Sequence, residues 1–301
     1  MTNKKTVGFV GIGNMGRPMA ANIARAGHDV IVFDVDPARA TAFVTEFGAT
    51  AALTPHDLAP CEAVVTMLPT GNDVRHALLE ADSGGIAARL MPGALIIDMS
   101  SAEPVGTRDL GANLANRGLR LVDAPVSGGV PRARDGTLAI MIGGDADAVA
   151  EAKPILTAMG DRLFEVGPLG CGHAMKALNN YLAAAAFAAM SEAVLIGERF
   201  GLDPDTMADI FNVSTGKSFC TENLLKQHVN SGVFGTGFSA GLLAKDVGIA
   251  TDLGEQMGID APVSRLVRDR WASARDGVGA GADHTRAAPF WASQSAVAGR
   301  D

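Results

Sequence analysis

The sequence predicts a two-part α/β protein. Residues 1–167 read as a doubly wound, mostly parallel sheet, and residues 168–301 as an all-helical region entered by one long interdomain helix. Three observations predict this. Short apolar runs alternate with helical patterns as far as Val166, as strands joined by crossover helices do. Beyond Gly167-Pro168 the strand signals fade and only helical periodicity remains. Residues 172–199 are proline-free and alanine-rich, and alanine loses no side-chain entropy in a helix, so one unbroken helix is expected there.

The first strand is Thr6-Val7-Gly8-Phe9-Val10. It runs into Gly11-Ile12-Gly13-Asn14-Met15-Gly16, a helical pattern to Ala26, a stop at Gly27, and a second apolar run, Val30-Ile31-Val32-Phe33, ended by Asp34. A glycine pattern alone is weak evidence. Between a strand and a helix the three glycines serve different ends. The first makes the tight turn, the second lets backbone approach a pyrophosphate, and the third lets the helix pack on the strand. The helix start adds free N–H groups and partial positive charge. Asp34 stands where a carboxylate accepts hydrogen bonds from the adenosine ribose and repels a 2′-phosphate. The reading is a Rossmann domain holding its dinucleotide through Gly11, Ile12, Gly13, Asn14, Met15, Gly16 and Asp34. NAD is expected over NADP, with Arg39 softening the preference.

The alternation continues with a strand over 63–68 stopped by Pro69, a helix over 73–79, and a strand over 94–99 ending at Ser100-Ser101. A helix opened by Pro104 follows, then a strand over 119–123 leading to Ala124-Pro125-Val126-Ser127-Gly128-Gly129. Strands over 138–142 and 163–166 flank a helix over 146–159. Ligands of such sheets sit beyond the carboxyl ends of the strands, which groups Leu68, Pro69, Ser101 and Ser127-Gly128-Gly129 along one crevice. In the helical part, Asp203 caps a helix opened by Pro204, and further helices are expected over 221–230, 240–257, 261–274 and near Pro289.

Composition excludes several classes. The chain has 301 residues, 48% hydrophobic and 19% charged, which suits a well-packed enzyme and not a disordered chain. A net charge of −8 leaves no basic footprint for nucleic acid. Cys61, Cys171 and Cys220 are odd in number and scattered, which argues for reduced thiols in a cytoplasmic setting and against disulfides or a metal site. Lys4 and Lys5 precede an apolar run as in a leader peptide, but Gly8, Gly11, Gly13 and Gly16 break that run, so it reads as strand and turn. The helix over 172–199 is long enough to span a membrane. Its alanine content and the interruptions at Asn179, Asn180, Ser191 and Glu192 make it a buried core helix instead, and no membrane partner is expected.

Lys176 and Asn180 lie four apart on that helix and so share a face. A lone helical lysine is ordinarily a solvated charge, but a cation and an amide stacked on an apolar rod suit a polar ligand. Ser127-Gly128-Gly129 offers a hydroxyl and unhindered N–H groups of the kind that hold a carboxylate, although alone it is also an ordinary turn. Lys245 interrupts the apolar pattern Leu242-Leu243-Ala244-Lys245-Asp246-Val247, and alone it reads as a surface residue paired with Asp246.

Taken together, these segments resemble the beta-hydroxyacid dehydrogenase family, whose members include 3-hydroxyisobutyrate dehydrogenase, tartronate semialdehyde reductase and L-threonate dehydrogenase. The resemblance rests on Phe9-Val10-Gly11-Ile12-Gly13-Asn14-Met15-Gly16, on Asp123-Ala124-Pro125-Val126-Ser127-Gly128-Gly129, on Gly170-Cys171-Gly172-His173-Ala174-Met175-Lys176 with Asn180, and on Lys245-Asp246. It covers nearly the whole chain. It implies that Lys176 is catalytic with Asn180 orienting the substrate, and that Ser127, Gly128 and Gly129 bind the substrate carboxylate. Leu68, Pro69, Ser101 and Lys245 then line the nicotinamide end of the cofactor site. Ser101 stands where the family often has threonine, which keeps the hydroxyl. Cys171 replaces a common alanine and has no implied role.

The implied reaction is hydride transfer between NAD(P) and a small 3-hydroxy acid or its semialdehyde, with Lys176 as general acid and base. A free amine of this kind titrates near about 10.4, so oxidation is expected to favour alkaline pH. Rival readings are a related reductase of short aldehydes or imines, a 6-phosphogluconate dehydrogenase, and a non-catalytic dinucleotide binder. Imine reductases lack the lysine, the phosphogluconate enzymes have a longer C-terminal region with phosphate-binding residues, and a mere binder has no use for Lys176, Asn180 and Ser127. Asn212, Ser214, Lys217, Phe219, Phe234 and Phe238 are candidates for the pocket wall. The apolar helical part suggests a homodimer or homotetramer.

Overall fold

The computed structural model describes residues 4–81 and 84–297. The chain divides into two compact units, Met1–Lys176 and Ala177–Asp301.

The first unit holds a nine-stranded sheet. Its strands are β1 (Thr6–Val10), β2 (Asp29–Phe33), β3 (Thr50–Ala51), β4 (Ala63–Thr66), β5 (Leu95–Asp98), β6 (Arg120–Asp123), β7 (Val126–Ser127), β8 (Ala139–Gly143) and β9 (Arg162–Gly167). Its helices are α1 (Gly16–Arg25), α2 (Pro37–Phe47), α3 (Gly71–Arg75), α4 (Pro104–Ala115), α5 (Gly129–Asp135) and α6 (Ala146–Leu156). The order β3-β2-β1-β4-β5-β6 is parallel throughout, with β1 paired to both β2 and β4. The chain thus starts in the middle, winds outward to one edge, and returns to wind the other way. The point of reversal, beyond the carboxyl ends of β1 and β4, is where such sheets take their ligands.

Burial on both faces explains why the central strands read as continuous apolar runs and not as alternating ones. Successive side chains face opposite layers. Phe9, Val65 and Ile97 join one core with Met19, Ile23 and Phe43. Their neighbours Val10, Val64 and Ile96 join the other with Leu78 and Leu114.

Past β6 the sheet departs from a uniform parallel plan. β8 runs antiparallel to β6 and β7, and β9 then adds parallel to β8. The two-residue strands β3 and β7, the turn of 3₁₀ helix Pro55–Leu58 and the short α5 carry too little periodic signal to be expected from sequence. The helix expected over 73–79 is α3 continuing into a wide π-type turn, His76–Glu80.

The long helix α7 spans Cys171–Phe200, thirty residues, close to the expected 172–199. In the second unit it is followed by α8 (Pro204–Val213), a π-type helix Thr221–Asn230, α9 (Ala240–Gln256), α10 (Pro262–Val278) and α11 (Ala287–Val297). By length and composition α7 could cross a membrane, with a mean hydropathy of 1.3 in its most apolar window. Its Ala184, Phe187, Met190 and Val194 are instead buried against Leu225, Val247, Trp271 and Trp291 in the second unit's core. Trp271 Nε1 donates to the Ala184 carbonyl at 3.1 Å, which satisfies its one polar atom in that core. α10 runs past its expected end at Ala274, and Gly277 is helical. A Cβ at that position would enter the Phe290 ring, so glycine is required by packing.

Candidate active site

The glycine turn divides into two kinds of position. Gly11 has φ +89°, and a Cβ there would lie 2.5 Å from the Met67 carbonyl oxygen. A Cβ at Gly16 would drive into the Gly11 carbonyl. Both glycines are therefore demanded by the protein's own packing. Gly13 is not: its φ is unexceptional, and the nearest atom to an added Cβ is Arg39 Nη1 at 3.7 Å. Bare backbone facing open space at the start of α1 is what a phosphate group fills. The residues present thus fit a dinucleotide.

Asp34, buried at the end of β2, holds this turn. Its Oδ2 accepts from the Ile12 N–H at 2.9 Å, and Oδ1 accepts from the Asp36 N–H at 2.9 Å. Arg39 Nη1 stands 3.8 Å from Asp34 Oδ2 on a half-exposed side chain. Asn14 is exposed, and Ile12 is buried beneath the turn. Met15 precedes α1 and offers no side-chain cap, so the N–H groups there are left to backbone partners or a ligand.

The ends of β4 and β5 are tied together. The Leu68 N–H donates to Ser100 Oγ at 2.9 Å, with Pro69 exposed after it and Ser101 half-buried beside Ser100. Ser100 N–H and Thr66 Oγ1 both donate to Asp98 Oδ1, at 3.0 and 2.8 Å. Asp98 is buried at the end of β5.

Asp123, fully buried at the end of β6, receives the start of α7. Its Oδ1 accepts from the Gly170 N–H and its Oδ2 from the His173 N–H, each at 2.8 Å. These are among the N–H groups that a helix start leaves without an intrahelical partner. Gly172 permits the approach, since a Cβ there would collide with the Met141 carbonyl and lie 2.8 Å from Asp123 Oδ2. Lys176, half-buried, follows in the next turn of α7. Its helix therefore rises from the same edge of the sheet as the Gly11 turn, Leu68 and Ser101.

Ser127 ends the short β7, and Gly128 and Gly129, both exposed, have φ +135° and +66°. The expected Ser-Gly-Gly turn leads straight into a helix, because Gly129 opens α5.

In the second unit, Asn180 is buried and donates from Nδ2 to Asp246 Oδ2 at 2.6 Å. Its Oδ1 accepts from Asn179 Nδ2 at 3.1 Å. Lys245 Nζ lies 3.2 Å from Asp246 Oδ1. The expected pairing of Lys245 with Asp246 is present, but it is largely buried and not a surface contact, because Asp246 is sequestered and Lys245 is half-buried.

The candidate wall residues fall in two stretches of this unit, from the end of α8 to the start of the Thr221–Asn230 helix and over 234–238. Asn212 donates to the Thr221 carbonyl at 3.1 Å, Lys217 pairs with Glu222 at 2.8 Å, and Ser214 and Phe219 are exposed. Phe234 sits under the Arg286 guanidinium and Phe238 packs edge-on to His284. Phe234 alone among the described non-glycine residues has a positive φ, 47°.

Asp98, Asp123, Ser100 and His173 carry no role that the sequence alone reveals. The signal was present in part: like Asp34, Asp98 and Asp123 are carboxylates that end buried apolar strands.

Two family models match the chain. One, described as the NAD binding domain of 6-phosphogluconate dehydrogenase, matches residues 6–167. The other, described as NAD-binding of NADP-dependent 3-hydroxyisobutyrate dehydrogenase, matches residues 170–291. Among curated relatives, a 3-hydroxyisobutyrate dehydrogenase of Pseudomonas aeruginosa is 37% identical, over 87% of this chain and 90% of that protein. An NAD-dependent L-serine dehydrogenase of the same organism is 35% identical over 87% and 89%. A solved Mycobacterium tuberculosis 3-hydroxyisobutyrate dehydrogenase, described with L-serine, superposes with a TM-score of 0.87 at 32% identity and covers 96% of this chain and 99% of its own.

Proposed function

This chain belongs to the beta-hydroxyacid dehydrogenase family of NAD(P)-dependent oxidoreductases, and on that premise we propose that it interconverts a small 3-hydroxy acid and its semialdehyde with Lys176 as general acid and base. The observation that carries the assignment of Lys176 is the anchoring of α7 by Asp123 at the carboxyl edge of the dinucleotide-binding sheet.

In this reading residues 1–167 serve the cofactor, and residues 168–301 serve substrate and self-association. Gly11, Ile12, Gly13, Asn14, Met15, Gly16 and Asp34 hold the adenosine and pyrophosphate, and Leu68, Pro69, Ser101 and Lys245 line the nicotinamide end. The bound nicotinamide supplies the hydride acceptor in oxidation and the donor in reduction. Lys176 takes the hydroxyl proton in oxidation and, as an ammonium, returns one to the carbonyl oxygen in reduction. Ser127 with the amides of Gly128 and Gly129 grips the carboxylate, and Asn180 orients the hydroxyl. NAD is preferred, since the Asp34 carboxylate repels a 2′-phosphate, and Arg39 keeps NADP accessible.

Relatives named for 3-hydroxyisobutyrate and for L-serine support a substrate with a carboxylate and a hydroxyl two carbons removed. The exposed apolar Leu182, Ile196 and Phe200 on α7 support a homodimer or homotetramer. Three free thiols support a reducing compartment such as the cytoplasm.

The test is steady-state turnover with NAD and NADP against 3-hydroxyisobutyrate, L-serine, glycerate and L-threonate, for wild type and Lys176→Ala. Lys176→Ala is expected to lose roughly 10²–10⁴-fold in kcat while still binding dinucleotide. Full turnover in that variant removes the assignment.

A further inference from the structure

We infer that His173 is a positioning residue for Lys176, held in a buried polar cluster at the first turn of α7. The inference rests on the reading of Lys176 as the acid and base. His173 is buried to 1% exposure, three residues before Lys176 on the same helix. Its ring lies among three groups of the first unit. Nδ1 is 2.7 Å from Thr107 Oγ1, Nε2 is 3.7 Å from Asp98 Oδ2, and Nδ1 is 3.9 Å from Asp123 Oδ2. Thr107 Oγ1 also lies 3.1 Å from the Glu103 carbonyl, and its hydroxyl serves the ring as donor or acceptor according to the imidazole tautomer.

The Leu68 N–H donates to Ser100 Oγ and the Ser100 N–H to Asp98, whose Oδ2 lies 3.7 Å from His173 Nε2, beyond hydrogen-bond reach. His173 is bound through its own N–H to Asp123, which also holds Gly170. The ends of β5 and β6, α4 and the start of α7 lie around one imidazole. A helix start can be capped by a carboxylate alone, and Asp123 does that. Asp123 holds two N–H groups of that turn, and the ring adds a side-chain attachment to α4 through Thr107, with Lys176 less than one turn further along. Small misplacement of an acid–base group costs rate steeply while leaving cofactor affinity alone.

Purified His173→Ala and Lys176→Ala are assayed with NAD and 3-hydroxyisobutyrate, with and without added imidazole, and dinucleotide affinity and melting temperature are measured on each. His173→Ala is expected to fall at least about tenfold in kcat with the NAD dissociation constant within about twofold of wild type, and imidazole is expected to restore part of the lost turnover. Imidazole does not restore Lys176→Ala. Turnover of His173→Ala within about twofold of wild type overturns the positioning role, as does a loss that follows the melting temperature and resists imidazole. If His173→Ala does not fold, Thr107→Val, which keeps the ring and removes its hydroxyl partner, decides. It is expected to lower kcat about threefold or more with NAD affinity retained, and wild-type kcat overturns the proposal. A fully active Lys176→Ala overturns the acid–base reading instead, whatever His173 does.

Discussion

Asn180 and Asp246, 66 residues apart in sequence, meet in a buried 2.6 Å hydrogen bond in which the amide donates to the carboxylate. With Asn179 donating to the other end of the same amide, Asn180 is fixed in one flip state. Truncating Asp246 to Ala releases it and leaves a buried donor unpaired, a loss of about 1.5–3 kcal/mol for a bond to a charged group. If Asn180 orients substrate, kcat/KM for the hydroxy acid falls by roughly tenfold to a hundredfold in Asp246→Ala. Steady-state kinetics on the folded variant reads this. An unchanged kcat/KM removes Asn180 from the reaction.

The glycines of the turn make a paired prediction. Gly13→Ala meets nothing closer than 3.7 Å, so its melting temperature stays near wild type while NAD binding weakens on the order of tenfold. Gly16→Ala forces backbone against the Gly11 carbonyl and destabilises the fold by about 3 kcal/mol or more. Calorimetry and fluorescence titration of NAD separate the two. Equal effects of both variants on stability contradict the division.

How much of the fold and site is legible in the sequence follows from how far each signal reaches. The Gly11–Gly16 turn, Asp34 and the span of α7 are local patterns, and each is found where periodicity and glycine spacing put it. The reversal of β8 is not local: β8 is as apolar as any parallel strand, and only its pairing with β6 and β7 reveals its direction. α10 outruns its expected end at Ala274 and passes through Gly277, where the Phe290 ring leaves no room for a side chain. His173 stands inside the Gly170–Lys176 motif, yet its partners Thr107 and Asp123 are 66 and 50 residues away. No window along the chain brings such groups together.

The thiols are expected to differ in reactivity. Burial pushes Cys61 and Cys220 up to about 12, while Cys171 is half-buried. Under native conditions at pH 8, a disulfide reagent is expected to modify at most Cys171, with all three reacting after denaturation. Rapid native labelling of Cys61 or Cys220 contradicts the packing around them.

Two histidines set a pH dependence of stability. Burial lowers His284, against the raising pull of the Phe238 carbonyl and Asp283. Burial also lowers His28, reinforced by Lys5 and opposed by Asp29. In each case the unfolded chain binds the proton more readily, so stability rises with pH between the lowered folded value and the ordinary value of about 6.5, and levels off above it. The melting temperature is expected to be flat above neutrality and to fall through mildly acidic pH. His284→Gln flattens that fall, and an identical slope in the variant counts against the assignment.

The clasp of Asp123 on Gly170 and His173 has a consequence for biosynthesis. A chain made from its N-terminus delivers the carboxylate at the tip of β6 before the residues it receives have left the ribosome. The segment bearing Lys176 is therefore born onto a cap that already exists, provided the sheet has formed. A nascent chain with an unfinished sheet offers that segment no such cap.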